Sequence, residues 1–195
     1  MTPLPWHEVE LAIQKEERWL TEVFDFGPYN EATAIPLIPN LSPDKMLRQI
    51  ATLIVHGTIQ AREIKNPIEL GLWSSELVQI EEHSSAEERH GGHWHQAMMG
   101  VVKQHFINDG FEVINEPFLS HGRADLGVYK TGYQNLFIEI GTTSLYKTWL
   151  NTKSMPSTIF LFIPTTTYAV ELITGDMANP TATSIHSRSS QINRL

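Results

Sequence analysis

Two acids stand in otherwise apolar strand sequence, Asp125 in "RADLGVY" and Glu139 in "LFIEIG". A carboxylate inside an apolar strand is costly unless it is neutralised, hydrogen-bonded or paired. Lys130-Thr131-Gly132-Tyr133 joins the two segments, so they read as the arms of an antiparallel hairpin. Side chains alternate along a strand, so Asp125, Gly127 and Tyr129 share one face, and Phe137, Glu139 and Gly141 share one. Register decides whether the two faces coincide. A three-residue turn pairing Lys130 with Gln134 sets Asp125 directly opposite Glu139, with Cβ atoms about 4.5–5.5 Å apart. A two-residue turn shifts the register by one and parts them. Opposed carboxylates repel unless they share a proton, which raises one pKa, or hold a divalent cation. Mg²⁺ is commonly bound by one or two carboxylates together with waters and a substrate phosphate. Such an ion activates water and stabilises charge on a transferring phosphate. The plainer alternative is a pair of exposed acids on an open sheet face.

Other residues with chemical potential cluster nearby. "HGGHWH" supplies His90, His93 and His95, with His83 and His105 close in sequence. A catalytic zinc site wants three protein ligands and a water, yet residues two apart on a helix point to different faces. His95 stands one turn before Met99. It reads as an accessory group that contacts phosphate or water, set against the plain reading of a helix-surface histidine. Thr142, Thr143 and Ser144 precede a helix and could donate to a phosphate there. The preferred reading is capping by Thr143 or Ser144.

The elements that must position these groups follow from periodicity. Residues 6–25 place Val9, Ile13, Leu20 and Phe24 near helical spacing. Ser42-Pro43 is an N-cap and first-turn pair for a helix over about 43–56. "IQAREIKNPIELGLW" is mixed, and residues 1–80 are expected to form a mostly helical N-terminal region. A helix follows, its start delayed by Gly91-Gly92 to about residue 92. Trp94, Met98, Val101, Val102 and Phe106 form its apolar stripe, and Gly110 suits its left-handed end. After it come the strand "FEVINEPFL", the two hairpin strands, the short helix "SLYKTWLNTKS", and the continuously apolar strand "STIFLFIP", a pattern expected where both faces are covered. "YAVELITG" reads as one more strand, within a core domain of residues 81–175. The polar tail, residues 176–195, reads as a loose arm.

Composition narrows the function classes. The chain has 195 residues, 41% of them hydrophobic, which suffices for a core without staples. It has no cysteine, which excludes disulfides, thiolate metal sites and cysteine nucleophiles. A net charge of −8 argues against a broadly basic nucleic-acid binder but not against a phosphodiester enzyme, whose site is carboxylate-rich. "MTPLPWHEVE" lacks a basic start and an apolar core, and "IFLFIP" is too short to span a bilayer, so the expectation is a cytoplasmic protein with no membrane contact.

From 84 to 163 the expected order is helix, strand, strand, strand, helix, strand. With an acid opening the second strand and another on the third, the chain resembles the PD-(D/E)xK nuclease superfamily, which has the restriction-endonuclease-like fold. "RAD" ending at Asp125 matches the first motif, with Ala124 in place of proline, and "EIG" at 139–141 matches the second. The resemblance covers about half the chain. It implies an α/β fold, a mixed central sheet flanked by helices with an α-β-β-β-α-β core, here carrying the helical N-terminal extension. It also implies Mg²⁺ or Mn²⁺ held by Asp125, Glu139 and the Ile140 backbone carbonyl. The motif lysine position is Gly141. Lys147 is the first candidate to replace it, ahead of Lys153 and Lys130. Glu87 or Glu88 would supply the family's helix acid, and Glu116 a group behind the ligands. The implied activity is metal-dependent hydrolysis of phosphodiester bonds, foremost in DNA, with a homodimer suited to cutting two strands. Two further readings stand beside it. One is a non-catalytic module that has lost the lysine and binds a protein partner through its N-terminal helices. The other is a histidine-dependent metal hydrolase built on 90–95.

Overall fold

The structure is a computed structural model that describes residues 5–25, 42–65 and 91–175. In chain order its elements are α1 (Trp6–Thr21), β1 (Phe24–Asp25), α2 (Pro43–Val55), β2 (Ile59–Lys65), α3 (His93–Asn108), β3 (Glu112–Asn115), β4 (Leu126–Tyr129), β5 (Leu136–Ile140), β6 (Thr143–Ser144), α4 (Leu145–Ser154), β7 (Ile159–Thr165) and β8 (Tyr168–Thr174). Six strands form one mixed sheet in the order β2-β8-β7-β5-β4-β3. Its neighbouring strands are antiparallel except β5 and β7, which run parallel and are joined through α4. The order of elements expected over 84–163 is found from α3 to β7, with the two-residue β6 added.

Local chemistry fixes the helix ends. Ser42 Oγ accepts from the Lys45 N–H at 3.4 Å, and Pro43 fills the first turn of α2. At the end of α3, Phe111 N–H bonds to Phe106 C=O and Gly110 N–H to Ile107 C=O, each at 2.9 Å. This is the paired C-terminal closure that needs a left-handed residue, and Gly110 supplies it with φ +75°. The rings of Phe106 and Phe111 meet edge-on across it.

The sheet is covered on both faces. On one face, Trp94, Met98, Val102 and Phe106 of α3 pack on Leu126, Val128, Leu136, Ile138, Ile159, Leu161 and Ile163. On the other, Leu20, Met46, Ile50, Leu145 and Trp149 from α1, α2 and α4 pack on Phe137, Phe160, Phe162, Val170 and Leu172. Alternate residues of β7 therefore serve opposite cores, which is why its sequence is apolar throughout. Each fully buried side chain of this kind contributes roughly 1.5–3 kcal/mol.

The N-terminal region supplies α1 and α2 as expected, but it also gives the sheet its strand β2, paired with β8. Only Ile59 and Ile64 of β2 are buried, since the strand lies at the sheet edge with charged residues between. The parallel pairing of β1 with β6 ties the end of α1 to the segment Thr143–Ser144. No helix among the described residues is long and apolar enough to cross a membrane. The tail from 176 onward lies outside the described residues.

Candidate active site

The hairpin register is the one a three-residue turn sets. Leu126 pairs with Ile138, Gly127 with Phe137 and Val128 with Leu136. The regular register stops there: Asp125 N–H donates to Ile138 C=O at 3.1 Å, which sets Asp125 beside the end of β5 that carries Glu139. Tyr133 N–H closes the turn on Lys130 C=O at 3.0 Å, and Gly132 provides its positive φ of +83°.

The two acids are held in different ways. Asp125 Oδ2 accepts the Ile140 N–H at 2.7 Å, so its side chain continues the ladder at the end of β5. Its Oδ1 lies 3.3 Å from His95 Nε2, brought by the first turn of α3. The hydrogen bond with Asp125 raises the pKa of His95; burial opposes it, and the charges of Asp125 and Glu139 add to it. Glu139 is 6% exposed and lies on the Phe137 side of the sheet. Burial pushes its carboxyl up to about 7, although Lys147 pulls the other way, and Asp125's charge adds to the rise. Glu139 Oε2 accepts from Lys147 Nζ at 2.7 Å and from Thr143 Oγ1 at 3.3 Å.

Lys147 therefore reaches the carboxylate across the gap left at Gly141. Position 141 favours glycine for a conformational reason. Gly141 has φ +79°, and its N–H bonds to Ile163 C=O at 2.8 Å as the chain leaves β5. A side chain there would be strained. Ser144 caps α4, its Oγ accepting the Lys147 N–H at 3.4 Å. Lys147 Nζ also donates to Arg123 C=O at 2.8 Å, so two of its three donors are committed. A Cβ on Gly122, which has φ +80°, would come within 3.1 Å of Lys147 Cδ. One turn along α4, the buried Asn151 accepts the His121 N–H and donates to its C=O, both at 2.9 Å. These bonds lock the 121–123 backbone to the helix that carries Lys147.

Of the residues singled out from sequence, Asp125, Glu139, His95 and Lys147 thus come together. Glu116 does not join them: it pairs with Arg123 at the surface, at 3.2 Å. Lys153 lies over the Trp149 ring, and Lys130 bonds to Asp109 C=O. Glu87, Glu88, His83 and His90 lie outside the described residues. The Arg123 carbonyl, Asn151 and the bond of Thr143 to Glu139 are the parts that sequence reading missed. Thr143 carried a signal in "GTTS", which capping absorbed. Asn151 carried only its spacing from Lys147.

Among the described residues, no three His, Asp or Glu side chains form a ready metal cage. Mg²⁺ needs no such cage, because one or two carboxylates suffice when water and phosphate complete the shell. Asp125, Glu139 and the Ile140 carbonyl lie at one end of the hairpin and are oxygen donors, the type that Mg²⁺ and Mn²⁺ take. A cation there would offset the mutual effect of the two acids that helps raise Glu139. The residues present fit such an ion.

No protein-family model, curated protein or solved structure matches the chain. The geometry of the site itself therefore carries the functional reading. Its location is consistent with ligand binding, since ligands of α/β sheets gather beyond the carboxyl ends of parallel strands, and Glu139 and Ile140 end β5 beside parallel β7.

Proposed function

We propose that the chain is a metal-dependent nuclease with a restriction-endonuclease-like core, acting on phosphodiester bonds, foremost in DNA. The observation that carries this reading is Lys147 Nζ at 2.7 Å from Glu139, with the Asp125 carboxylate bonded to the N–H of the next residue, Ile140, at 2.7 Å. Two carboxylates and a lysine at one strand end can supply the metal ligands and the cation that phosphodiester hydrolysis can use. Asp125, Glu139 and the Ile140 carbonyl would hold Mg²⁺ or Mn²⁺, which when bound supplies Lewis acidity and lowers the pKa of water. Lys147, fixed by the Arg123 carbonyl, has a donor left to orient the attacking water and offset charge on the phosphate. Water oxygen bonds to phosphorus and gives a proton to solvent, the bond to the leaving sugar oxygen breaks, and that oxygen takes a proton from solvent. His95, held by Asp125, stands ready to contact water or phosphate.

A second reading, a non-catalytic interaction module, is favoured by a different observation. Two of the three Lys147 donors are taken by Glu139 and Arg123, and Trp6 and Leu11 on α1 are 71% and 62% exposed, as a protein-binding helix would be. Cleavage assays separate the two. Wild-type protein should cut single- or double-stranded DNA or RNA with Mg²⁺ or Mn²⁺ and not in EDTA, and Asp125→Ala should be inert. The nuclease reading fails if no nucleic acid is cut with any divalent metal, or if Asp125→Ala keeps full activity.

A further inference from the structure

The segment from Glu116 to Asp125 is a tight secondary hairpin that leads into the site. Glu116 N–H bonds to Asp125 C=O at 2.9 Å, Ala124 N–H to Pro117 C=O at 3.2 Å, and Leu119 N–H to Gly122 C=O at 2.9 Å. Phe118 and Arg123 face each other across it as an antiparallel bridge. Its tip is bound to α4 by the two Asn151 bonds, and the Arg123 carbonyl is held by Lys147. This well-tied loop nevertheless presents Phe118 at 77% exposure, higher than Trp6, Leu11, Ile107 or Ile114, the other exposed large apolar side chains among the described residues. The Arg123 guanidinium lies 4.4 Å from the Phe118 ring centroid, which holds the ring from one side. Arg123 is itself fixed by Glu116, whose φ of +47° is unfavourable for a residue with a Cβ. Conformational strain at Glu116, an ordered backbone and the exposed ring of Phe118 coincide on the hairpin that ends at Asp125.

Resting on the nuclease reading, we infer that Phe118 and Arg123 form a stacking platform for an unpaired base of the substrate strand. An exposed ring backed by a guanidinium offers a π-face to any base and a cation to the adjoining phosphate. Bases inside a duplex are already stacked and have no free face to offer, so the platform selects single strands, flaps or extruded bases. Such a contact lies on the chain segment that delivers Asp125, and it would set the strand relative to the carboxylates.

The test is fluorescence anisotropy with the full chain in EDTA, using a labelled single strand and its duplex. Phe118→Ala should weaken single-strand binding by about 5- to 100-fold and leave duplex binding unchanged. Phe118→Trp should restore the single-strand affinity. Equal single-strand affinity for wild type and Phe118→Ala overturns the platform. So does a Phe118→Ala variant that loses self-association in ultracentrifugation but not single-strand binding, which would make Phe118 a protein contact. If the wild type cuts nucleic acid with Mg²⁺ while Phe118→Ala binds and cuts single strands equally well, the platform falls and the nuclease reading stands. If the wild type neither binds nor cuts any nucleic acid, both fall.

Discussion

Glu139→Gln should make the protein's stability less dependent on pH between 4.5 and 8.5. Burial raises the Glu139 carboxyl from 4.5 to about 7. Between those values the native carboxyl binds a proton more tightly than the unfolded one. Its stabilising contribution is therefore fully present below pH 4.5 and is lost as pH rises through about 7. At about 1.4 kcal/mol per pH unit the difference amounts to about 3 kcal/mol, an order-of-magnitude figure for one buried group. Glutamine keeps the shape and does not titrate. His95, present in both proteins and raised by Asp125, lowers the stability of both as pH rises. Urea unfolding followed by circular dichroism, from pH 4.5 to 8.5, gives the comparison. The variant should gain about 3 kcal/mol on the wild type across that range, so that above pH 7 it is the stabler protein. A difference that stays constant with pH would refute the reasoning, because Glu139 would then ionise in the fold as easily as in water. The expected cost has a functional meaning: an ionised carboxylate in this setting is kept at the expense of stability, as site residues often are.

Other consequences of the same geometry are open to measurement. In NMR titration the His95 ring should show a pKa above 6.5, and Asp125→Asn should bring it down; no change would remove the Asp125 contact from the account. Asn151→Ala leaves the His121 N–H and C=O without their partners, which should cost about 2 kcal/mol by chemical denaturation, and should also speed acylation of Lys147. Unaltered Lys147 reactivity would show that Asn151 braces the loop without positioning the lysine. Gly127→Ala would bring a Cβ to 2.6 Å from Tyr129 Oη and 2.8 Å from Pro117 Cγ. It should destabilise by about 1–3 kcal/mol, and a neutral melting temperature would show that β4 has room the structure denies.

How much of this the sequence carried depended on distance along the chain. The α3 stripe, the Ser42-Pro43 start and the Gly110 stop are local signals, and each appears where the pattern placed it. The hairpin register was legible once a three-residue turn was assumed, because that turn sets Leu126 against Ile138 and so brings the two acids to one end of the hairpin; the departure at Asp125, whose N–H bonds to Ile138 C=O, left no mark in the sequence. Strand β2 was not legible, since an edge strand with Gln60, Arg62 and Glu63 among its seven residues has neither a buried run nor a clean alternation. Lys147 could be named because its helix starts a few residues after Gly141. Its anchoring could not, because His121 and Asn151 are 30 residues apart and backbone groups leave no mark in a sequence. For the same reason the ladder bond from Ile140 N–H to Asp125, which explains how a strand end accepts that acid, emerged only from coordinates.

The account stands or falls on whether Lys147, bonded to Glu139, acts in catalysis. The direct measurement is the cleavage rate of DNA and RNA substrates by wild type and Lys147→Met with saturating Mg²⁺ or Mn²⁺, each protein shown to be folded. A metal-dependent wild-type rate that falls by two or more orders of magnitude, roughly the loss of one charge-stabilising donor, in Lys147→Met is the predicted result. Equal rates for the two proteins, or no cleavage by either, would contradict it.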